Sequence, residues 1–118
     1  MKNYLAMFLG TPGGFEKWMA QDEAKRKALE AKGMAAWHAW MTKHAAQVVD
    51  GGGPLGKTKK VSPSGVADVR NGMSGFTVVR AESHEAAARL FEGHPHFTIF
   101  PGESVEIMEI LPVPTQHR

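Results

Sequence analysis

Apolar residues fill every position from Tyr4 to Leu9, so an extended chain there presents Tyr4, Ala6 and Phe8 to one side and Leu5, Met7 and Leu9 to the other. A strand with two apolar faces must be covered on both. After the turn Gly10-Thr11-Pro12-Gly13-Gly14, the pattern changes to helical spacing. Phe15, Trp18, Met19 and Leu29 mark one helix, about Phe15 to Lys32, with Asp22/Arg26 and Glu23/Lys27 as i,i+4 pairs. Gly33 is expected to break or kink it. Met34, Trp37, Met41, Ala45 and Val48 then predict a second helix, about Met34 to Val49, ended by Asp50-Gly51-Gly52-Gly53-Pro54.

Leu55 to Val61 alternates apolar residues with lysines and suits an edge strand, while Ser62 to Met73 is rich in loop formers. Gly75 to Ala81 is a β-branched strand. Ser83 is a candidate N-cap with Glu85 in the first helical turn; Ala86, Ala87, Leu90 and Phe91 form the apolar side, and Gly93 suits the C′ position. Val105 to Leu111 is the last strand. The order β, α in two pieces, β, β, α, β predicts an α+β, ferredoxin-like split βαβ fold, with a four-stranded antiparallel sheet and helices on one face. One domain spans residues 1–112, and 113–118 form a loose tail. The sheet face opposite the helices is left bare and apolar, which predicts a homodimer closing into a dimeric α+β barrel.

Composition narrows the function classes. The chain has 118 residues, no cysteine and a formal net charge of +2. Thiol and disulfide chemistry are excluded, which fits a reducing, cytoplasmic setting. Lysines cluster only at Lys57, Lys59 and Lys60, so no nucleic-acid partner is expected. No apolar run approaches the roughly 20 residues needed to span a membrane, so no membrane partner is expected either.

The candidate chemistry is imidazole. His94-Pro95-His96 places two histidines around a stiff proline just after a helix stop. They could be an acid/base pair at a cleft, or they could cap the preceding helix. His44 and Asp50 flank the end of the main helix; Asp50 could orient an imidazole or close the glycine-rich turn with Asx-type bonds. Trp37 lies on the apolar stripe and is expected in the core, leaving Trp40 as the pocket wall. The ligand-binding set is therefore His44, Trp40 and Asp50, with His94 and His96 as the catalytic candidates. The His-Pro-His spacing is not a zinc pattern, so neither a metal site nor another cofactor is expected. Gly51-Gly52-Gly53 lacks the Gly-Lys-Ser/Thr of a phosphate loop.

Trp37-His38-Ala39-Trp40-Met41, Val49-Asp50-Gly51-Gly52-Gly53-Pro54-Leu55-Gly56, Ser74 to Val79, Ala81 to Ala88 and Gly93-His94-Pro95-His96 together resemble the YCII-related (YciI-like, DGPF-domain) family. The resemblance covers Met34 to Leu111 and implies a dimeric α+β barrel. Some members carry a His–Asp pair in a cleft and are suspected enzymes. That dyad does not carry over. Anchored on Gly53-Pro54, the helix histidine falls near Ala36 or Trp37; anchored on Pro95, the aspartate falls on His94. Two functions remain open. One is small-molecule binding, with enzymatic histidine acid/base chemistry, in a cleft lined by His94, His96, His44 and Trp40. The other is a non-catalytic dimeric interaction or regulatory module.

Overall fold

A computed structural model describes residues 1–114. Four strands, β1 (Lys2–Gly10), β2 (Val48–Pro54), β5 (Met73–Ala81) and β6 (Gly102–Glu109), form an antiparallel sheet in the order β2-β5-β1-β6. Two further strands, β3 (Thr58–Ser62) and β4 (Gly65–Val69), pair with each other as a separate two-stranded sheet. The helices are α1 (Pro12–Met19), α2 (Glu23–Lys43), α3 (His84–Arg89) and α4 (Pro95–Thr98). This is an α+β, ferredoxin-like arrangement, with β1 and β5 in the middle of the sheet. The expected tail falls partly at 115–118, outside the described residues.

The two-faced β1 behaves as its alternation requires. Tyr4, Ala6 and Phe8 are buried beneath the helices together with Thr77, Val79 and Ala81 of β5. Leu5 and Met7 stand on the opposite face beside Val78 and Phe76, and all four remain partly exposed. Trp40 and Ala87 complete the core from α2 and α3.

Four expectations are corrected. The helical region breaks at Ala20–Asp22 rather than at Gly33, because the Asp22 carboxylate caps a new helix through the Lys25 N–H. Helix α2 then runs through Gly33, which is buried: a Cβ there would lie 2.5 Å from the Phe100 ring. Gly33 therefore serves close packing and does not stop the helix.

The helix also ends at Lys43, not near Val49, and Val48–Pro54 becomes the outer strand β2. Its glycines permit the bulges by which it follows β5. Gly52 has φ +64°, and a Cβ there would lie 1.8 Å from the Phe76 carbonyl oxygen, so only glycine fits. The lysine-bearing stretch expected as the sheet edge instead joins part of the expected loop as the β3–β4 hairpin. Lys59 pairs with Asp68 across it.

Finally, His94-Pro95-His96 is not an irregular loop. Pro95 opens the short helix α4 at its first position, where a missing N–H costs nothing.

Candidate ligand site

His94 is built into the chain as a helix cap. Its backbone is extended, as a residue before proline prefers, and its ring Nδ1 accepts the His96 backbone N–H at 3.0 Å. The Thr98 hydroxyl donates to the His94 carbonyl at 3.0 Å. Because Nδ1 is an acceptor, the proton of the neutral ring sits on Nε2. That Nε2 is buried and, among the described residues, has no hydrogen-bond partner. The residue itself is 0% exposed.

Rings wall this imidazole. Their centroids lie 4.5 Å away for Trp37, 4.9 Å for Trp40, 5.2 Å for Phe8 and 5.6 Å for Phe91. The walls come from β1, α2 and the turn after α3, so only the folded chain assembles them. A π cloud is the most these neighbours offer the Nε2–H, which is weaker than a hydrogen bond to oxygen. Charging the ring here would strand a cation among aromatic carbons. Burial therefore holds the His94 pKa down at about 4, with smaller repulsive contributions from His96 and His44.

His96 packs on the same Phe8 and Trp37 rings, but its ring nitrogen has a backbone partner. It is 6% exposed, and its Nε2–H donates to the Leu9 carbonyl at 2.8 Å, tying α4 to the end of β1. Burial lowers its pKa, against the raising effect of its Leu9 and Ser104 backbone contacts. Gly102 is the neighbour that makes room: a Cβ there would sit 2.3 Å from the His96 ring.

Trp40 is the more deeply buried of the two tryptophans, and its indole N–H donates to the Leu90 carbonyl at 2.8 Å. Trp37 stays half-exposed while touching His94, Phe8 and Phe100. The expected division between core and wall is thus reversed. The reason is that Trp40 packs on Leu90 and Phe91 at the end of α3, while Trp37 packs on Phe100 beyond α4.

His44 caps the end of α2 with its ring 4.9 Å from Trp40; burial first, and Lys43 second, lower its pKa. Asp50 is exposed on β2, where its carboxylate accepts the Gly52 N–H at 2.8 Å. Among the described residues, no hydrogen bond or ring contact joins Asp50 to His44 or His94. The structure thus brings together His94, His96, Trp40 and, at the margin, His44.

Phe8, Phe91 and Gly102 belong to the same cluster and were not singled out from the sequence. Phe91 also floors a shallow recess of about 300 Å³ between α3, α4 and β6, lined further by Phe97, Val105, Glu92 and Glu103. Among the described residues, no three metal-binding side chains converge.

No family model matches the sequence, and no curated protein matches it. Among solved structures, the chain is similar to 5-chloro-2-hydroxyhydroquinone dehydrochlorinase from Burkholderia phenoliruptrix in complex with 2,5-dihydroxybenzoquinone. The identity is 16%, the TM-score is 0.50, and 89% of each chain is covered. The likeness establishes a shared α+β fold. Among the described residues, no helix is long and apolar enough to cross a membrane.

Proposed function

We propose that this is a YCII-related protein that binds a small, planar, oxygen-bearing molecule against the His94 ring cluster, working as a cytoplasmic homodimer. The observation that carries this reading is the buried Nε2–H of His94, held without a partner among four aromatic rings. A buried donor left unpaired costs about 1–3 kcal/mol. A ligand carbonyl or enolate oxygen reached through the Phe91 side would recover that cost, and the aromatic walls suit a flat ring. Binding requires Phe91 to swing aside, since the cluster is closed in the free protein.

The same geometry refines the chemistry. With Nδ1 occupied by the His96 N–H and a pKa near 4, His94 is neutral at physiological pH and can only donate. It would polarise a ligand oxygen rather than abstract a proton, and an enzymatic step at this site would use that polarisation. His96 would position α4 and hence the His94 ring. His44 and Trp40 would form the far wall. Asp50 has no part in this reading beyond its turn.

The dehydrochlorinase named above holds 2,5-dihydroxybenzoquinone, a flat ring with oxygen acceptors, and that compound is a suitable probe. Calorimetric titration should show binding to the native chain. His94→Asn keeps a capping oxygen but removes the Nε2–H donor, and it should weaken binding by roughly tenfold, one hydrogen bond's worth. No binding to the native chain, or equal binding by the variant, sinks the proposal.

A second reading is favoured by the backbone bonds that both histidines already make. If those bonds are their whole role, the chain is a non-catalytic dimeric module, and ligand screens should be blank.

A further inference from the structure

The β3–β4 hairpin stands outside the sheet, and no other element packs extensively against it. Val61 and Val66 face each other across it at 77% and 69% exposure. The radius of gyration is 16.7 Å, against about 13 Å for a compact chain of this size, and the long axis is 60 Å. A lone two-stranded hairpin is marginally stable in water, and an exposed valine pair gains nothing there. The arm is also basic: Lys57, Lys59, Lys60 and Arg70 stand against a single anion, Asp68, which is tied to Lys59.

The opposite edge of the molecule is its chemical complement. Strand β6 and the turn before α4 carry Glu92, Glu103, Glu106 and Glu109. Arg89 holds Glu92 and Lys2 holds Glu109, whereas Glu103 and Glu106 have no ion pair among the described residues. Between α3, α4 and β6 lies the recess with Phe97 and Val105 in its wall and Glu103 at its edge. It offers an apolar floor beside a carboxylate to an arm that offers a valine pair beside lysines.

Topology suits a second copy of the chain as the occupant. The hairpin leaves the sheet next to the Pro54–Gly75 pair, in register with Phe8 and Val105, the same end of the sheet at which β6 begins. Suppose two bare sheet faces meet about a two-fold axis parallel to the strands. The partner's β2 then lies over β6, and its arm emerges at the end where the recess opens. Glu106, which shares the bare face with Met7, falls under the arm's base.

We infer that each subunit lays its β3–β4 arm over the other's β6 edge, with Val61 and Val66 seated in the recess and Lys57 and Arg70, which by alternation share the valine face at the arm's base, on Glu103 and Glu106. The arm thereby covers the Phe91 side of the partner's ring cluster, so ligand entry is completed in trans. The arm contact needs only the dimer and stands whether or not the recess leads to a ligand.

The test is a charge-reversal cycle read by sedimentation equilibrium at low salt. Lys57→Glu with Arg70→Glu leaves the Lys59–Asp68 bridge intact and should weaken dimerisation at least tenfold. Glu103→Lys with Glu106→Lys should weaken it similarly, and the fourfold variant should restore it to within about threefold, since opposite charges then meet again. Val61→Ser with Val66→Ser should weaken the dimer without changing the circular dichroism of the subunit. Charge reversals that leave the dimer constant unchanged, a fourfold variant that fails to recover, or a native chain that is monomeric at micromolar concentration each overturn the inference.

Discussion

The His96 backbone N–H donates to Nδ1 of His94 across 3.0 Å, so the cap of a single helical turn also decides which nitrogen of a buried imidazole carries the proton. Proline between them makes this possible: Pro95 has no N–H to compete for the cap, and the next free N–H belongs to His96. A local backbone motif thereby sets the chemical identity of the ring at the centre of the cluster.

Acid should destabilise the fold through this ring. The folded pKa of about 4 lies below the unfolded value of 6.5, so the unfolded chain binds the extra proton first. Stability from this group is complete above pH 6.5 and is lost as pH falls through 4. The full shift is worth on the order of 3 kcal/mol. His96 and His44 act in the same direction. Urea titrations at pH 7.5, 5.5 and 4.5 should show the decline, and His94→Asn should flatten it while lowering stability at every pH. An unchanged slope in the variant would mean that other groups carry the acid sensitivity.

Gly102→Ala should disturb the cluster without touching a histidine. Its Cβ would meet the His96 ring at 2.3 Å and the His96 carbonyl at 2.4 Å, and the backbone atom cannot turn away. A loss of about 1–3 kcal/mol is expected, as for overpacking elsewhere. In histidine NMR spectra the His96 Nε2–H signal should shift, because its bond to Leu9 is strained. Native stability with an unmoved signal would contradict the packing described.

The two faces of β1 should respond differently to charge. Phe8→Asp places a carboxylate beneath the helices beside Trp37 and His94 and should unfold the subunit, seen as loss of cooperative melting. Met7→Asp alters the bare face and should leave the subunit folded but monomeric by sedimentation velocity. A dimeric Met7→Asp variant would place the subunit contact elsewhere.

Metal removal should leave the protein unchanged. Dialysis against a chelator is expected to keep the melting temperature within a degree or so, since no ligand set converges among the described residues. A large drop, together with stoichiometric zinc in the starting protein, would reassign the histidines as ligands.

Strict alternation in β1 and β5, the Ser83 cap and the Gly93 turn were legible because each depends on near neighbours along the chain. Ser83 accepts the Ala86 N–H within its own turn, and Gly93 takes its positive φ by itself. From such local signals the sequence alone determined the α+β order and the two-sided first strand. Gly33, Val48–Pro54 and the β3–β4 arm were not legible, because their roles depend on partners far away in the chain. Gly33 is small to admit Phe100, and Gly52 lets β2 follow β5 past the Phe76 carbonyl. The burial of His94 was decided by Phe8, Trp37, Trp40 and Phe91, which converge only when sheet and helices pack. Sequence spacing specifies which groups a chain carries and which short turns they cap. Desolvation, and with it the protonation of an imidazole, is a property of the surroundings, and only tertiary structure supplies those.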